Sequence, residues 1–227
     1  MKQNKSFLIL GITGGAGSGK TTIVEKIAEM IPTVFLHCDV IAHQLMEPGG
    51  PSYAALVKEY GTGILEDTIV TGNGNAGELP SISRPKLAAV AMATESTRKR
   101  LNELTHPLVQ KAVEEELARL EEENFQGVAI IEAALLIEAG YKEICDFLWY
   151  VYAPLEDRIR RMKEKRGYSD EKIANILAGQ LSEEEFRAHA DVVIENPDRR
   201  CYKQSKELSK QIRTRLKECM EKADKMW

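Results

Sequence analysis

The chain has few cysteines, and their positions fit neither a metal site nor a cross-linked secreted fold. No C-x-x-C pair occurs, and the cysteines lie far apart, at Cys38, Cys145, Cys201 and Cys219. This spacing excludes a structural zinc knot and a disulfide framework. A chain of 227 residues buries enough surface to fold without cross-links. We therefore expect a reducing, cytoplasmic setting.

Long apolar runs and a strong net charge are also missing. The apolar run near the N-terminus, Phe7 to Ile12, is too short for a signal peptide or a membrane span. With 31 basic and 35 acidic residues the net charge is −4, so no chain-wide field favours nucleic acid or a membrane surface. The expected partners are small molecules, and the protein is expected to be a monomer or a small homo-oligomer.

Short β-branched or apolar runs alternate with longer segments of helical period. The predicted strands cover residues 7–12, 33–37, 127–133, 147–153 and 191–195. Strands that are apolar on both faces are typical of a parallel sheet covered by helices. The alternation therefore predicts an α/β fold with a doubly wound, five-stranded parallel sheet.

A long interval separates the second and third strands, and we interpret residues 40–125 as a mostly helical insertion. It contains a Gly/Asn-rich stretch at 71–81, interpreted as a surface excursion, and two helical stretches that meet at His106-Pro107. Because proline lacks an N–H, we expect one helix to end and another to begin there.

The last stretch, 199–227, has an apolar stripe typical of a helix that packs on the core. The residues of this stripe are Leu208, Ile212, Leu216 and Met220.

The stretch GGAGSGKT, Gly14 to Thr21, lies between the first strand and an amphipathic segment. It matches G-x-x-x-x-G-K-[ST] in the strand, loop and helix setting that this phosphate-binding motif requires. The glycines let successive backbone N–H groups point at phosphate oxygens, and the following helix start adds positive potential. We expect Lys20 to contact the β and γ phosphates and the Thr21 hydroxyl to be a Mg²⁺ ligand. The alternative is a glycine-rich turn that binds nothing.

Several classes of nucleotide-binding protein lack support. GTPases normally carry N-K-x-D and D-x-x-G, and neither occurs. The nearest match to the L-S-G-G-Q of ABC-type ATPases is LAGQLS at 177–182, which lacks the double glycine. The remaining classes are a small-molecule kinase and, as a weaker option, an ATP-driven binding module.

Asp39 is the candidate for the group that accepts or orients the proton of the acceptor hydroxyl. A kinase needs such a group near the carboxyl end of a strand beside the phosphate loop, where we expect the second strand to end. In the alternative interpretation Asp39 only caps a helix that begins at Val40. The neighbouring His37, Cys38 and His43 lack the usual zinc spacing, so a metal site is not favoured here.

The segment RIRRMKEKR, Arg158 to Arg166, is strongly basic. A solvated surface helix is the ordinary explanation of such a run. In a protein with a phosphate loop, however, the transferring phosphoryl group must be neutralised and shielded from water. A mobile helical hairpin with arginines does both, and we predict such a lid over residues 155–185.

Several stretches together resemble the dephospho-coenzyme A kinase family in order and spacing. They include GITGGAGSGKTT, CDVIAHQLMEPGGPSYAALVKEYG, ISRPKLAAVAM, LNELTHPLV, ALLIEAG, ILAGQ and ADVVIEN. The resemblance implies transfer of the ATP γ-phosphoryl group to the ribose 3′-hydroxyl of dephospho-coenzyme A, the last step of coenzyme A biosynthesis. It also implies a P-loop core over 1–39, 126–154 and 186–227, a helical acceptor-binding insertion and a lid.

The same resemblance implies residue roles. Asp39 would be the base or orienting carboxylate, Arg161 would meet the phosphates, and Asn196 would lie near the adenine. ATP would be held by Gly14, Gly15, Ala16, Gly17, Ser18, Gly19, Lys20, Thr21 and Thr22. The acceptor would be surrounded by Asp39, Arg84, His106, Leu135, Leu136 and Glu138.

Three positions depart from the family pattern. His37 stands where a second acidic residue is frequent, and Ala134 replaces a proline. The second lid arginine of the family aligns with Lys165, although Arg166 is adjacent and could substitute.

Two alternative functions are considered. One is another nucleoside or nucleoside monophosphate kinase, and the other is a non-catalytic ATP-binding switch.

Overall fold

The computed structural model describes residues 6–67, 79–133, 136–137, 140–196 and 202–223. The strands in this part of the chain are β1 Phe7–Thr13, β2 Thr33–His37, β3 Gly127–Glu132, β4 Phe147–Tyr152 and β5 Val192–Glu195. They form one parallel sheet in the order β2-β3-β1-β4-β5. The predicted five-stranded parallel sheet is confirmed, and each strand end lies within one residue of its predicted position.

Helices connect the strands. Those in the described residues are α1 Lys20–Ala28, α2 Cys38–Leu45, α3 Tyr53–Tyr60, α4 Arg84–Ala91, α5 Glu95–Glu122, α6 Leu155–Arg166, α7 Asp170–Ala178, α8 Glu183–His189 and α9 Tyr202–Ala223. Within the same ranges, no helix has the length and apolarity that crossing a membrane requires.

The strand β1 is buried along its whole length and lies between β3 and β4. Ile12 pairs with Glu132 on one side and with Trp149 on the other, and both pairings are parallel. The carboxyl ends of these three strands therefore reach the same edge of the sheet. The expectation that the second strand ends beside the phosphate loop is wrong, because β3 lies between β1 and β2.

Two aspartates fix the register at the starts of β4 and β5. The Asp146 carboxylate accepts a hydrogen bond from the backbone N–H of Ile9 at 2.8 Å, and the Asp191 carboxylate accepts one from Leu148 at 2.7 Å. In each case the aspartate N–H returns a bond to the carbonyl of the same partner, at 2.8 and 2.9 Å. Because each pair joins a strand to its neighbour, these bonds align the strand ends that carry the site.

One face of the sheet is covered by a core that includes α1 and α9. Its fully buried members include Leu10, Ile23 and Ile212. The predicted packing of the last helix is confirmed for Ile212 and Leu216, with Leu208 partly buried. Met220 is exposed and Cys219 is buried in its place, because a four-residue spacing drifts around a helix of 3.6 residues per turn.

The chain divides into two compact units. The first comprises residues 1–36 and 119–227 and contains the sheet, while the second comprises residues 37–118. The second unit has its own apolar core on α3 and α4, with Leu56 and Leu87 buried. Leu65 and Ile82 form an antiparallel bridge in it. Most of the predicted 71–81 excursion lies outside the described residues.

The helix break predicted at His106-Pro107 is wrong, because α5 continues through Pro107. Proline in a helix interior removes one backbone hydrogen bond, and its ring crowds the carbonyl four residues earlier. In the turn before it, the buried Thr105 hydroxyl donates to the carbonyl of Leu101 at 2.9 Å. A helix of 28 residues has enough other turns to tolerate the loss.

We expect Pro107→Ala to increase the free energy of unfolding by about 2 kcal/mol, since alanine restores the missing bond and only part of the gain is offset by a freer unfolded chain. Urea denaturation measures this change. Lys111→Ala, an exposed position one turn further along α5, is the control and should change stability by less than about 0.5 kcal/mol. A loss of stability in Pro107→Ala would contradict the prediction.

Candidate active site

The phosphate loop leaves β1 after Thr13 and enters α1 at Lys20. Gly17 and Gly19 have φ angles of 79° and 92°, in the left-handed region that disfavours any residue with a β-carbon. A β-carbon at Gly17 would also lie 2.6 Å from the backbone O of Arg158. The path of the loop therefore requires glycine at these two positions.

Lys20 is held between the loop and the neighbouring strand β3. Its Nζ donates a hydrogen bond to the carbonyl O of Gly14 at 2.9 Å and lies 3.8 Å from Oε1 of Glu132. Only 17% and 12% of the Lys20 and Glu132 side chains are exposed, so each charge compensates the other where water is scarce. Glu132 is absent from the predicted site residues. The sequence did contain an indication of its role, because Glu132 is an acidic residue at the end of an otherwise apolar strand.

The oxygen-bearing side chains near the loop fit a nucleotide and its cation. The Ser18 hydroxyl is buried and has no hydrogen-bond partner among the described residues, which is costly unless a ligand oxygen accepts its hydrogen. Thr21 is exposed in the first turn of α1, and Thr22 is half-buried. Hydroxyl and carboxylate oxygens are ligands that Mg²⁺ prefers, so Thr21 and Glu132 are suited to hold it.

Arg161 and Asn196 fasten the loop to α6 and to the end of β5. Arg161 Nη1 donates to the carbonyls of Gly17 and Ser18, both at 3.1 Å, and Nη2 donates to the carbonyl of Asn196 at 2.9 Å. Asn196 Nδ2 in turn donates to the Ser18 carbonyl at 2.8 Å. Both predicted site residues therefore contact the phosphate loop.

Arg158 is a second lid cation on the loop, and it is absent from the predicted site residues. Its Nε donates to the carbonyl of Ala16 at 3.0 Å, and its Nη2 donates to Oε1 of Gln180 at 2.6 Å. Burial lowers the pKa of Arg158 from its ordinary value, but an arginine keeps its charge at any physiological pH. Its position in the basic run was the only sequence signal for it.

The two positions weighed for a second lid arginine lie near the other end of α6. Lys165 and Arg166 are both exposed, and the Arg166 guanidinium lies 5.9 Å from the centre of the Tyr168 ring. Gly167 ends α6 in the left-handed conformation and Ser169 caps α7, as the predicted helical hairpin requires. The mobility of this hairpin stays a prediction.

Asp39 lies in the first turn of α2, where the positive end of the helix dipole favours a carboxylate. The helix begins at Cys38, two residues earlier than a cap at Asp39 would place it, and its N-cap residue is His37. The alternative interpretation of Asp39 as the N-cap is therefore not supported. Its side chain is exposed, which leaves the carboxylate accessible.

His43 and Arg84 interact within the second unit. Burial and then the charge of Arg84 lower the pKa of His43, against weaker opposite effects from Asp39 and Glu47. Arg84 begins α4 and is exposed. The unit thus places the predicted acceptor-binding Arg84 near α2, the helix that carries Asp39.

The other predicted acceptor-binding residues lie in different parts of the chain. His106 is half-buried in α5, and burial lowers its pKa. Leu136 is fully buried, and its carbonyl accepts a bond from the N–H of Tyr141 at 3.1 Å. Leu135 and Glu138 lie outside the described residues, so their roles stay predictions.

Comparisons with known proteins agree with this geometry. The family model described as dephospho-CoA kinase matches residues 8–201. The dephospho-CoA kinase of Geobacter sulfurreducens is 36% identical over 83% of this chain and 89% of its own length. That of Geobacter metallireducens is 31% identical over 95% and 98% of the two chains. A crystal structure from Thermus thermophilus, 27% identical, superposes with a TM-score of 0.73 over 93% of this chain and 97% of its own.

A phosphate loop that follows the central strand of a parallel sheet, in a chain with these kinase relatives, defines the protein as a P-loop kinase that uses ATP. The match of the family model over most of the chain narrows this class to a single family. The chain belongs to the dephospho-CoA kinase family.

We expect Arg84→Ala to raise the pKa of His43 toward its ordinary value, because the variant removes the second cause of its depression and leaves the first, burial. The depressed pKa keeps wild-type His43 neutral until the pH falls below the range in which an unfolded histidine gains its proton. Titration of the histidine C2 protons by NMR measures both values.

His106 supplies the internal control, since burial alone lowers its pKa and Arg84→Ala should leave it unchanged. Lys86→Ala, which removes another cation from α4, should leave both histidines unchanged. An unmoved His43 in Arg84→Ala would show that the two side chains do not interact.

Proposed function

We propose that the chain transfers the γ-phosphoryl group of ATP to the ribose 3′-hydroxyl of dephospho-coenzyme A, giving coenzyme A and ADP. This is the last step of coenzyme A biosynthesis. The observation that supports it most is the phosphate loop whose Lys20 bridges Gly14 and Glu132, in a chain that belongs to this family.

The loop from Gly14 to Thr22 would hold the ATP phosphates. Its backbone N–H groups and the N-terminus of α1 favour negative charge, and the Ser18 hydroxyl can donate to a phosphate oxygen. Lys20 already lies in the loop and needs only to exchange the Gly14 carbonyl for a phosphate oxygen. Asn196, bound to Ser18 from the end of β5, would lie near the adenine.

Thr21 and Glu132 would hold the Mg²⁺ that accompanies the nucleotide. When bound, the ion supplies positive charge to the phosphate oxygens during transfer. Freed from Glu132, the Lys20 ammonium would carry its whole charge to the phosphates.

Asp39 would accept or orient the proton of the acceptor hydroxyl. Its carboxylate is exposed and lies in the first turn of α2, where the helix dipole favours a negative charge. The cationic Arg84 suits the phosphates of the acceptor, and His106, Leu135, Leu136 and Glu138 would complete the acceptor site.

The lid arginines would neutralise charge and exclude water. Arg158 and Arg161 are both bonded to loop carbonyls, so their positive charges would lie close to the bound phosphates. Exclusion of water would favour transfer to the acceptor over hydrolysis of ATP. We expect the enzyme to act in the cytoplasm, as a monomer or small homo-oligomer.

We expect ADP release to rise by at least about 100-fold when dephospho-coenzyme A is added to the enzyme with ATP and Mg²⁺, because an oriented acceptor replaces water. A coupled assay of ADP measures this rise. Nucleosides and nucleoside monophosphates, supplied as alternative acceptors, should give little stimulation. Equal rates with and without dephospho-coenzyme A would refute the proposed function.

The variant Asp39→Asn tests in the same assay whether Asp39 takes part in the transfer. Loss of the base should lower kcat by about 10²- to 10⁴-fold while ATP affinity stays within about two-fold. Asp67→Asn, an exposed aspartate of the second unit paired with Lys86, is the matched control and should keep full activity. Full turnover in Asp39→Asn would remove Asp39 from the chemistry.

We expect Glu132→Gln to raise the Mg²⁺ concentration needed for half-maximal activity by about 10-fold or more, because the amide removes a charge from the cation site. Titration of activity with Mg²⁺ at saturating ATP and acceptor measures the shift. Glu143→Gln, at an exposed glutamate after β3, is the control. An unchanged Mg²⁺ requirement would exclude Glu132 from the cation site.

A further inference from the structure

Gln180, just beyond the end of α7, contacts the phosphate loop directly. Its Oε1 accepts a hydrogen bond from the backbone N–H of Ala16 at 3.2 Å and a second from Arg158 Nη2 at 2.6 Å. Both partners are donors, so the oxygen of the amide, not its nitrogen, must lie at the loop. Gln180 belongs to the ILAGQ stretch and is absent from the predicted site residues.

The N–H and the carbonyl of Ala16 are both hydrogen-bonded to side chains of the predicted lid. Gln180 accepts from its N–H, and Arg158 Nε donates to its carbonyl at 3.0 Å. Arg158 and Gln180 are also bound to each other. These three bonds link the start of α6, the end of α7 and the middle of the loop in one closed network.

A phosphate oxygen and the Gln180 oxygen compete for the same donor. The N–H groups of a phosphate loop bind phosphate oxygens, and an N–H already bonded to a side chain is not available to them. The nearby guanidinium of Arg158 is the charge that a phosphate would attract, and the same oxygen of Gln180 holds it.

We propose that Gln180 is a positioning residue that stands in for a phosphate oxygen at the Ala16 N–H when no nucleotide is bound. ATP displaces the amide oxygen from Ala16, while the bond from Arg158 keeps the guanidinium directed at the loop. The inference rests on ATP binding by the loop, as in the proposed function, but not on the identity of the acceptor.

Two opposite effects of one substitution follow. Gln180→Met keeps the length of the side chain but removes the competing oxygen. ATP affinity without acceptor should therefore rise about five-fold, the equivalent of one net hydrogen bond. Among the described residues, the same variant removes one of the two bonds that orient Arg158 and leaves only its bond to the Ala16 carbonyl, so kcat should fall by about 10-fold.

Isothermal titration calorimetry with ATP and Mg²⁺, without acceptor, measures the affinity. Gln180→Glu restores the acceptor oxygen and adds a charge, so its ATP affinity should fall below that of the wild type. Ser182→Ala removes the N-cap of α8 without a contact to the loop, and it should bind ATP as the wild type does. Unchanged or weaker ATP binding in Gln180→Met would overturn the inference.

A second measurement does not depend on the folding of any variant. Amide hydrogen exchange of the wild type without nucleotide should show the Ala16 N–H protected, because it is bonded to Gln180. Exchange of this amide at the rate of an unstructured peptide would also overturn the inference. Failure of the wild type to bind ATP at all would instead refute the proposed function.

Discussion

The site depends on the carbonyl groups of the phosphate loop. A loop that points its N–H groups at a ligand directs its carbonyls elsewhere, and every one of them needs a donor. One donor, Lys20, lies at the end of the loop itself, and two others come from α6. The carbonyl of Gly14 accepts a hydrogen bond from Lys20, that of Ala16 from Arg158, and that of Gly17 from Arg161.

This requirement explains why cationic side chains gather at the loop. A lysine or arginine can satisfy a carbonyl and still direct its remaining N–H groups at a ligand. Arg161 shows this most clearly, since it joins the loop to Asn196 with only part of its donors. In the proposed function the same residue would support the fold of the loop and supply charge for catalysis.

The sheet decides which residues can supply these donors and the compensating charge. Parallel pairing brings the end of β3 beside the loop, so Glu132 balances Lys20. The hydrogen bonds of Asp146 and Asp191 hold the starts of β4 and β5 in register. The segments that follow those two strands carry Arg158, Arg161 and Asn196 to the loop.

Local sequence determined the features that depend on neighbouring residues. The five strands follow from apolar runs, and the loop with Lys20 and Thr21 follows from glycines at set spacing between a strand and a helix. The hairpin of α6 and α7 follows from its glycine and its serine cap, and the family resemblance added Arg161 and Asn196.

Tertiary structure decided what depends on strand order and side-chain direction. Only the sheet order places Glu132, and not the end of β2, beside the loop. Only the packing of α6 and α7 selects Arg158 and Gln180 as the residues that reach it. Pro107 likewise stays within α5 because the turns around it outweigh one missing bond. These contacts join residues far apart in the chain, and local pattern carries no information about which of many similar side chains will meet.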